Sequence, residues 1–117
     1  MHILYNKNVS SVKPRKGEKL ILEEDCAEDR LKNGILTLTN QRIIFEKTEG
    51  TLATLSKQTG ELLLDLPLDQ IADCRAEGFI IKKVVITTLN NEIYKFGVFS
   101  NSKWTKEIEK VKSNGLY

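Results

Sequence analysis

The chain has 117 residues and a mass of 13.3 kDa, is 40% hydrophobic and 29% charged, and carries a net charge of +2. That is the balance of one globular domain, 1–117, large enough to bury a core without staples. A pI near 8.5 is far from the basic excess that marks nucleic-acid binding, but it admits an anionic membrane or an acidic protein as partner.

The N-terminal "MHILYNKNVSS" lacks the apolar core of a signal peptide, and no apolar run has transmembrane length. A soluble, cytoplasmic protein is expected. Its two cysteines, Cys26 and Cys74, lie far apart without metal-ligand spacing. Reduced thiols are favoured over a disulfide between distant strands.

"KLILEE" (19–24) reads as a strand, followed by a charged turn, "DCAEDRLKNG", in which Asn33-Gly34 offers the positive φ of a reversal. "ILTLT" (35–39) and "RIIFEK" (42–47) are rich in β-branched and aromatic residues and form a hairpin pinched at Asn40-Gln41. The polar stretch 48–60 reads as a long loop. "ELLLDL" (61–66) is a strand that stops at Pro67, which has no N–H for a ladder. After the turn "PLDQI", residues 71–77 resume as a strand ending at Gly78. "FIIKKVVITTL" (79–89) and "EIYKFGVF" (92–99) pair across Asn90-Asn91, read as a two-residue turn.

Only the tail changes period. Trp104, Ile108 and Val111 fall at i, i+4 and i+7, one stripe of an amphipathic helix. Ser100 to Ser102 offer N-caps, and Asn114-Gly115 provides a stop. A mainly β fold follows: about seven antiparallel strands bent into a partly closed barrel, its open end plugged by one C-terminal helix with Trp104 as stopper. The ending "SNGLY" is consistent with a fragment of a longer chain.

This order resembles the pleckstrin-homology-like (PH-like) superfold. "GEKLILEEDCAEDRLKNGILTLTNQRIIFEK" resembles the opening of its GRAM and GLUE branches: a Gly-Glu start, a strand, a variable turn, then a Gly-aliphatic-x-aliphatic-Thr-x-x-Arg-aliphatic-x-aromatic hairpin. Gly34, Leu36, Leu38, Thr39, Arg42 and Phe45 occupy those positions. "LPLDQIADCRAEGFIIKKVVITTL" is similar to the GLUE module of the ESCRT-II complex, with its Leu-x-Gln-Ile turn, glycine loop, and lysine leading into a Val-rich strand.

An enzyme is not expected, and neither a cofactor nor a metal site. The one histidine is terminal, and the carboxylates Glu23, Glu24, Asp25, Glu28 and Asp29 crowd one turn that reads as solvated. What remains is binding. Lys13, Arg15, Lys16 and Lys19 form a basic cluster that reads as ordinary surface charge. The resemblance implies an anionic phospholipid site at Arg75, Lys82 and Lys83, and a ubiquitin surface at Phe79, Ile81 and Ile108; the alternative is that Phe79 caps the barrel and Ile108 belongs to the core. It also implies other ESCRT-type subunits as partners, should the chain continue. On a strand, neighbouring Lys82 and Lys83 point to opposite faces, so one of them serves a given pocket. In "GFII" alternation cannot bury Phe79, Ile80 and Ile81 together, so at least one should be exposed. The competing reading is a GRAM- or bacterial-PH-type protein scaffold that binds neither lipid nor ubiquitin, favoured by the acidic first turn.

Overall fold

The computed structural model describes residues 12–49 and 57–114. His2, residues 50–56 of the expected loop, and Gly115 onward lie outside them. Seven antiparallel strands form one sheet: β1 Leu20–Glu28, β2 Lys32–Thr39, β3 Arg42–Glu49, β4 Lys57–Pro67, β5 Ile71–Glu77, β6 Lys83–Thr88 and β7 Ile93–Gly97. A single 3-10 turn, Leu68–Gln70, links β4 to β5, and helix α1, Asn101–Asn114, closes the chain. This is the mainly β arrangement of seven antiparallel strands and one C-terminal helix expected from the sequence.

The strands run in the order β4-β3-β2-β1-β7-β6-β5. β1 pairs with β2 along its length and reaches β7 only at Ala27 and Glu28, opposite Gly97 and Phe96. The sheet therefore turns its corner at that junction. Leu36, Leu38, Ile43, Phe45, Val84, Ile86 and Phe96 fill the interior, and Trp104, Ile108 and Val111 of α1 seal it. The Phe45 and Phe96 rings meet edge to face, centroids 5.1 Å apart. Each such side chain contributes roughly 1.5–3 kcal/mol when fully buried.

Four local readings are corrected. The stretch 23–29 is mostly strand, and only 29–31 turn. Its carboxylates are used structurally: Glu28 is buried and accepts the N–H groups of Arg30, Leu31 and Lys95 at 2.8, 2.9 and 2.8 Å. The positive φ of that reversal falls on Lys32, at 69°, and not on Asn33-Gly34. Gly34 is in β2 for another reason, since a Cβ there would lie 2.6 Å from both the Glu46 carbonyl oxygen and Cζ of Phe45. The polar 48–60 segment is in part strand, with β4 beginning at Lys57. The β6–β7 turn uses three residues. Asn91 N–H donates to Thr88 O at 2.9 Å and Asn91 takes φ 66°, a tight turn followed by a left-handed residue.

The Gly-Glu start and the Thr-x-x-Arg pattern meet in space. Arg42, 3% exposed, donates to Glu18 through Nε at 2.8 Å and Nη2 at 3.0 Å, and through Nη1 to Asp65 at 2.9 Å. Thr39 Oγ1 donates to Glu18 Oε2 at 2.7 Å, and Arg15 N–H donates to Oε1 at 2.8 Å. These bonds, Arg42's foremost, outweigh burial and hold Glu18 at about 2, below its ordinary 4.5. The same contact raises Arg42. The network fastens the segment before β1 across the β2–β3 hairpin. Its role is structural, because every charge in it is already answered.

Candidate functional site

The strand expected from residue 79 begins at Lys83 instead, and residues 78–82 form a projecting turn between β5 and β6. Gly78 makes this possible. It takes φ +88°, and a Cβ there would run into the carbonyl oxygen of Ile81. The turn lifts Phe79, Ile80 and Ile81 off the sheet, leaving them 94%, 96% and 71% exposed. The expected exposure of at least one of them becomes exposure of all three.

The base of the turn is tied down by Asn101, which lies among the N-cap candidates Ser100 to Ser102. Ser100 caps α1, its Oγ accepting the Lys103 N–H at 3.4 Å. That leaves Asn101, which is buried, to direct its amide nitrogen at the carbonyls of Glu77, Gly78 and Lys83, at 3.0, 3.5 and 3.3 Å. Val98 N–H donates to Lys82 O at 3.0 Å, so the β7–α1 linker lies alongside the turn. On that linker Phe99 is 87% exposed, its own N–H given to Glu24 Oε2 at 2.6 Å. The other oxygen of Glu24 accepts Trp104 Nε1–H at 2.9 Å. One carboxylate therefore positions both the linker and the stopper of the barrel, which its place in a charged run could not reveal.

The basic residues expected to hold lipid phosphate are near the turn but unequally available. Arg75 faces Asp73 at 3.4 Å and Glu77 at 3.9 Å, and Lys83 donates to Asp29 at 2.8 Å. That hydrogen bond lowers Asp29 below its ordinary range. Lys95 also faces Glu77, at 3.5 Å. Lys82 lies in the turn rather than on a strand, is exposed, and forms no ion pair among the described residues. Ile108 is withdrawn from the ubiquitin surface: it is fully buried, because the helix stripe that carries it is what plugs the barrel.

The basic cluster at Lys13 to Lys19 sits at the other end of α1, a helix roughly 21 Å long. There Gln41 and Asn40 donate to the carbonyls of Lys16 and Gly17 at 2.9 and 3.0 Å. A cleft of about 390 Å³ opens beside it, lined by Asn40, Gln41, Leu68, Asp69 and Lys112 among others. Its two charges are opposite in sign, and nothing in it converges on one ligand. Cys26 and Cys74 are free thiols, both pushed up to about 12 chiefly by burial, which denies either a thiolate near neutral pH.

Fold and surface together define a small, mainly β domain with a projecting apolar turn between β5 and β6. No family model matches the chain, and no curated protein matches it. Among 23 solved chains that match is the PH domain from TgAPH, at 17% identity over 80% of this chain and 80% of that one, with a TM-score of 0.47.

Proposed function

We propose that the chain is a non-catalytic binding module that docks peripherally on an anionic phospholipid surface through its β5–β6 end. In this reading it serves as an adaptor in membrane trafficking of the GLUE or GRAM kind, with ESCRT-type subunits as its neighbours. The observation that supports it is one braced turn that carries exposed Phe79, Ile80 and Ile81 with Lys82, which forms no ion pair among the described residues, next to the linker that carries exposed Phe99. Exposed apolar groups of this size, grouped together, mark an interaction site. Arg75 and Lys83 flank the turn as weaker contributors, since Asp73, Glu77 and Asp29 already neutralise them.

A second reading, ubiquitin binding, is favoured by the exposure of Phe79 and Ile81, two of the three residues it needs. A patch without Ile108 is small, so its affinity would be micromolar to near-millimolar, roughly −8 to −4 kcal/mol. The discriminating experiment is an NMR titration of the labelled domain with phosphatidylcholine–phosphatidylserine vesicles and, separately, with ubiquitin. Membrane docking predicts loss of signal from residues 78–84 and 98–103 with vesicles. Ubiquitin binding predicts fast-exchange shifts around Phe79 and Ile81. If neither ligand perturbs any signal, the scaffold alternative takes their place.

A further inference from the structure

We infer that the β5–β6 turn is an insertion element: Phe79, Ile80 and Ile81 enter the acyl region of a bilayer, with Phe99 at the interface beside them, and headgroup charge plays a minor part. This rests on the membrane reading above and specifies how the contact is made.

Shape comes first. Three consecutive side chains at 94%, 96% and 71% exposure form a projection, not the floor of a pocket. A specific protein partner needs roughly 800 Å² of fitted surface from each side, far more than three side chains present. Hydrocarbon needs only apolar area, because the hydrophobic effect is not directional. Phe99, 87% exposed, lies on the adjoining linker, which the Val98 N–H fastens to Lys82 O.

The base of the turn is braced from within the protein. At the base of the turn the carbonyls of Glu77, Gly78 and Lys83 all face the Asn101 amide, and that of Lys82 accepts the Val98 N–H. The turn is also held in one shape by Gly78 and Asn101, so little ordering entropy is lost on insertion.

Magnitudes decide between insertion and charge. Arg75, Lys83 and Lys95 each face a carboxylate, which leaves Lys82 as the cation of this turn without an ion pair among the described residues. One basic residue near an anionic surface strengthens binding roughly fivefold. One apolar side chain moved into hydrocarbon strengthens it roughly tenfold or more, and three give about a thousandfold. The apolar contribution is the larger by about two orders of magnitude.

The test uses Ile80→Trp with vesicles of phosphatidylcholine alone, of phosphatidylcholine with phosphatidylserine, and of phosphatidylcholine brominated in its acyl chains. The parent chain, whose one tryptophan is buried, is the control. Insertion predicts that the new indole shifts to the blue and is quenched by bromine. Removing phosphatidylserine should weaken co-sedimentation of the unsubstituted chain by no more than roughly tenfold. Phe79→Ser should weaken it roughly tenfold or more and Lys82→Gln roughly fivefold or less. All three variants alter exposed side chains, so their thermal transitions should match the parent's. Binding that requires phosphatidylserine and leaves the indole unquenched would overturn insertion while sparing peripheral docking. No binding to any vesicle would overturn both. An indole that responds instead to ubiquitin, or to rising protein concentration, would make the tip a protein contact.

Discussion

Replacing Glu18 by Gln keeps the shape of the side chain and removes its charge from the Arg42 network. In the parent chain hydrogen bonds from Arg42 are the main cause holding Glu18 at about 2, against an ordinary 4.5. A carboxylate depressed in this way contributes stability that is fully present above its unfolded value and is lost as pH falls through its folded value. At about 1.36 kcal/mol per pKa unit, the gap corresponds to about 3 kcal/mol at neutral pH. That contribution should disappear between about pH 4.5 and pH 2. Asp65 remains 2.9 Å from the guanidinium in the variant, so Arg42 is not left bare. The loss should therefore sit near the lower end of the ~3–5 kcal/mol that breaking a buried pair costs. Urea unfolding of both chains, at neutral pH and at steps into acid, measures the difference directly. The two stabilities should converge as the pH falls through that window. A difference that stays constant into acid, or one under about 1 kcal/mol at neutral pH, would refute the account of Glu18 as a charged clasp.

Two further outcomes test the packing. Trp104→Ala removes the stopper and should cost roughly 3–5 kcal/mol in chemical denaturation. In the parent chain Trp104 emission should be blue-shifted and resist iodide quenching; emission like that of free indole would contradict a side chain 3% exposed. Gly34→Ala places a methyl group against the Phe45 ring and the Glu46 carbonyl, and should cost roughly 1–3 kcal/mol by overpacking. An unchanged melting temperature would show that β2 can shift away from β3.

Much of the scaffold was legible because it depends on local pattern. Leu36, Leu38, Ile43 and Phe45 alternate along two strands, and all four are buried where alternation put them. Pro67 ended β4 because it lacks an N–H, whatever its surroundings. The i, i+4, i+7 stripe of Trp104, Ile108 and Val111 had to face the core once a helix formed. Ile108 lies on that stripe, and a stripe that seals a barrel has no exposed face to lend.

The residues 79–82 show where local pattern stops deciding. "FIIKKVV" has the composition of a strand, and by composition alone it belongs in the sheet. What removes its first four residues from the sheet is non-local: β5 ends at Glu77, Gly78 reverses the chain, and Asn101, 18 to 24 positions later, takes up the freed carbonyls. The availability of Arg75, Lys82 and Lys83 was likewise undecided, because Lys83 is partnered by Asp29, 54 positions earlier. Sequence by itself determined which segments bury apolar side chains and where strands must end, since periodicity and backbone restrictions act within a few residues. Only the tertiary structure decided which charges are already paired and which apolar groups are left in water. Those outcomes depend on groups that chain closure brings together from distant positions.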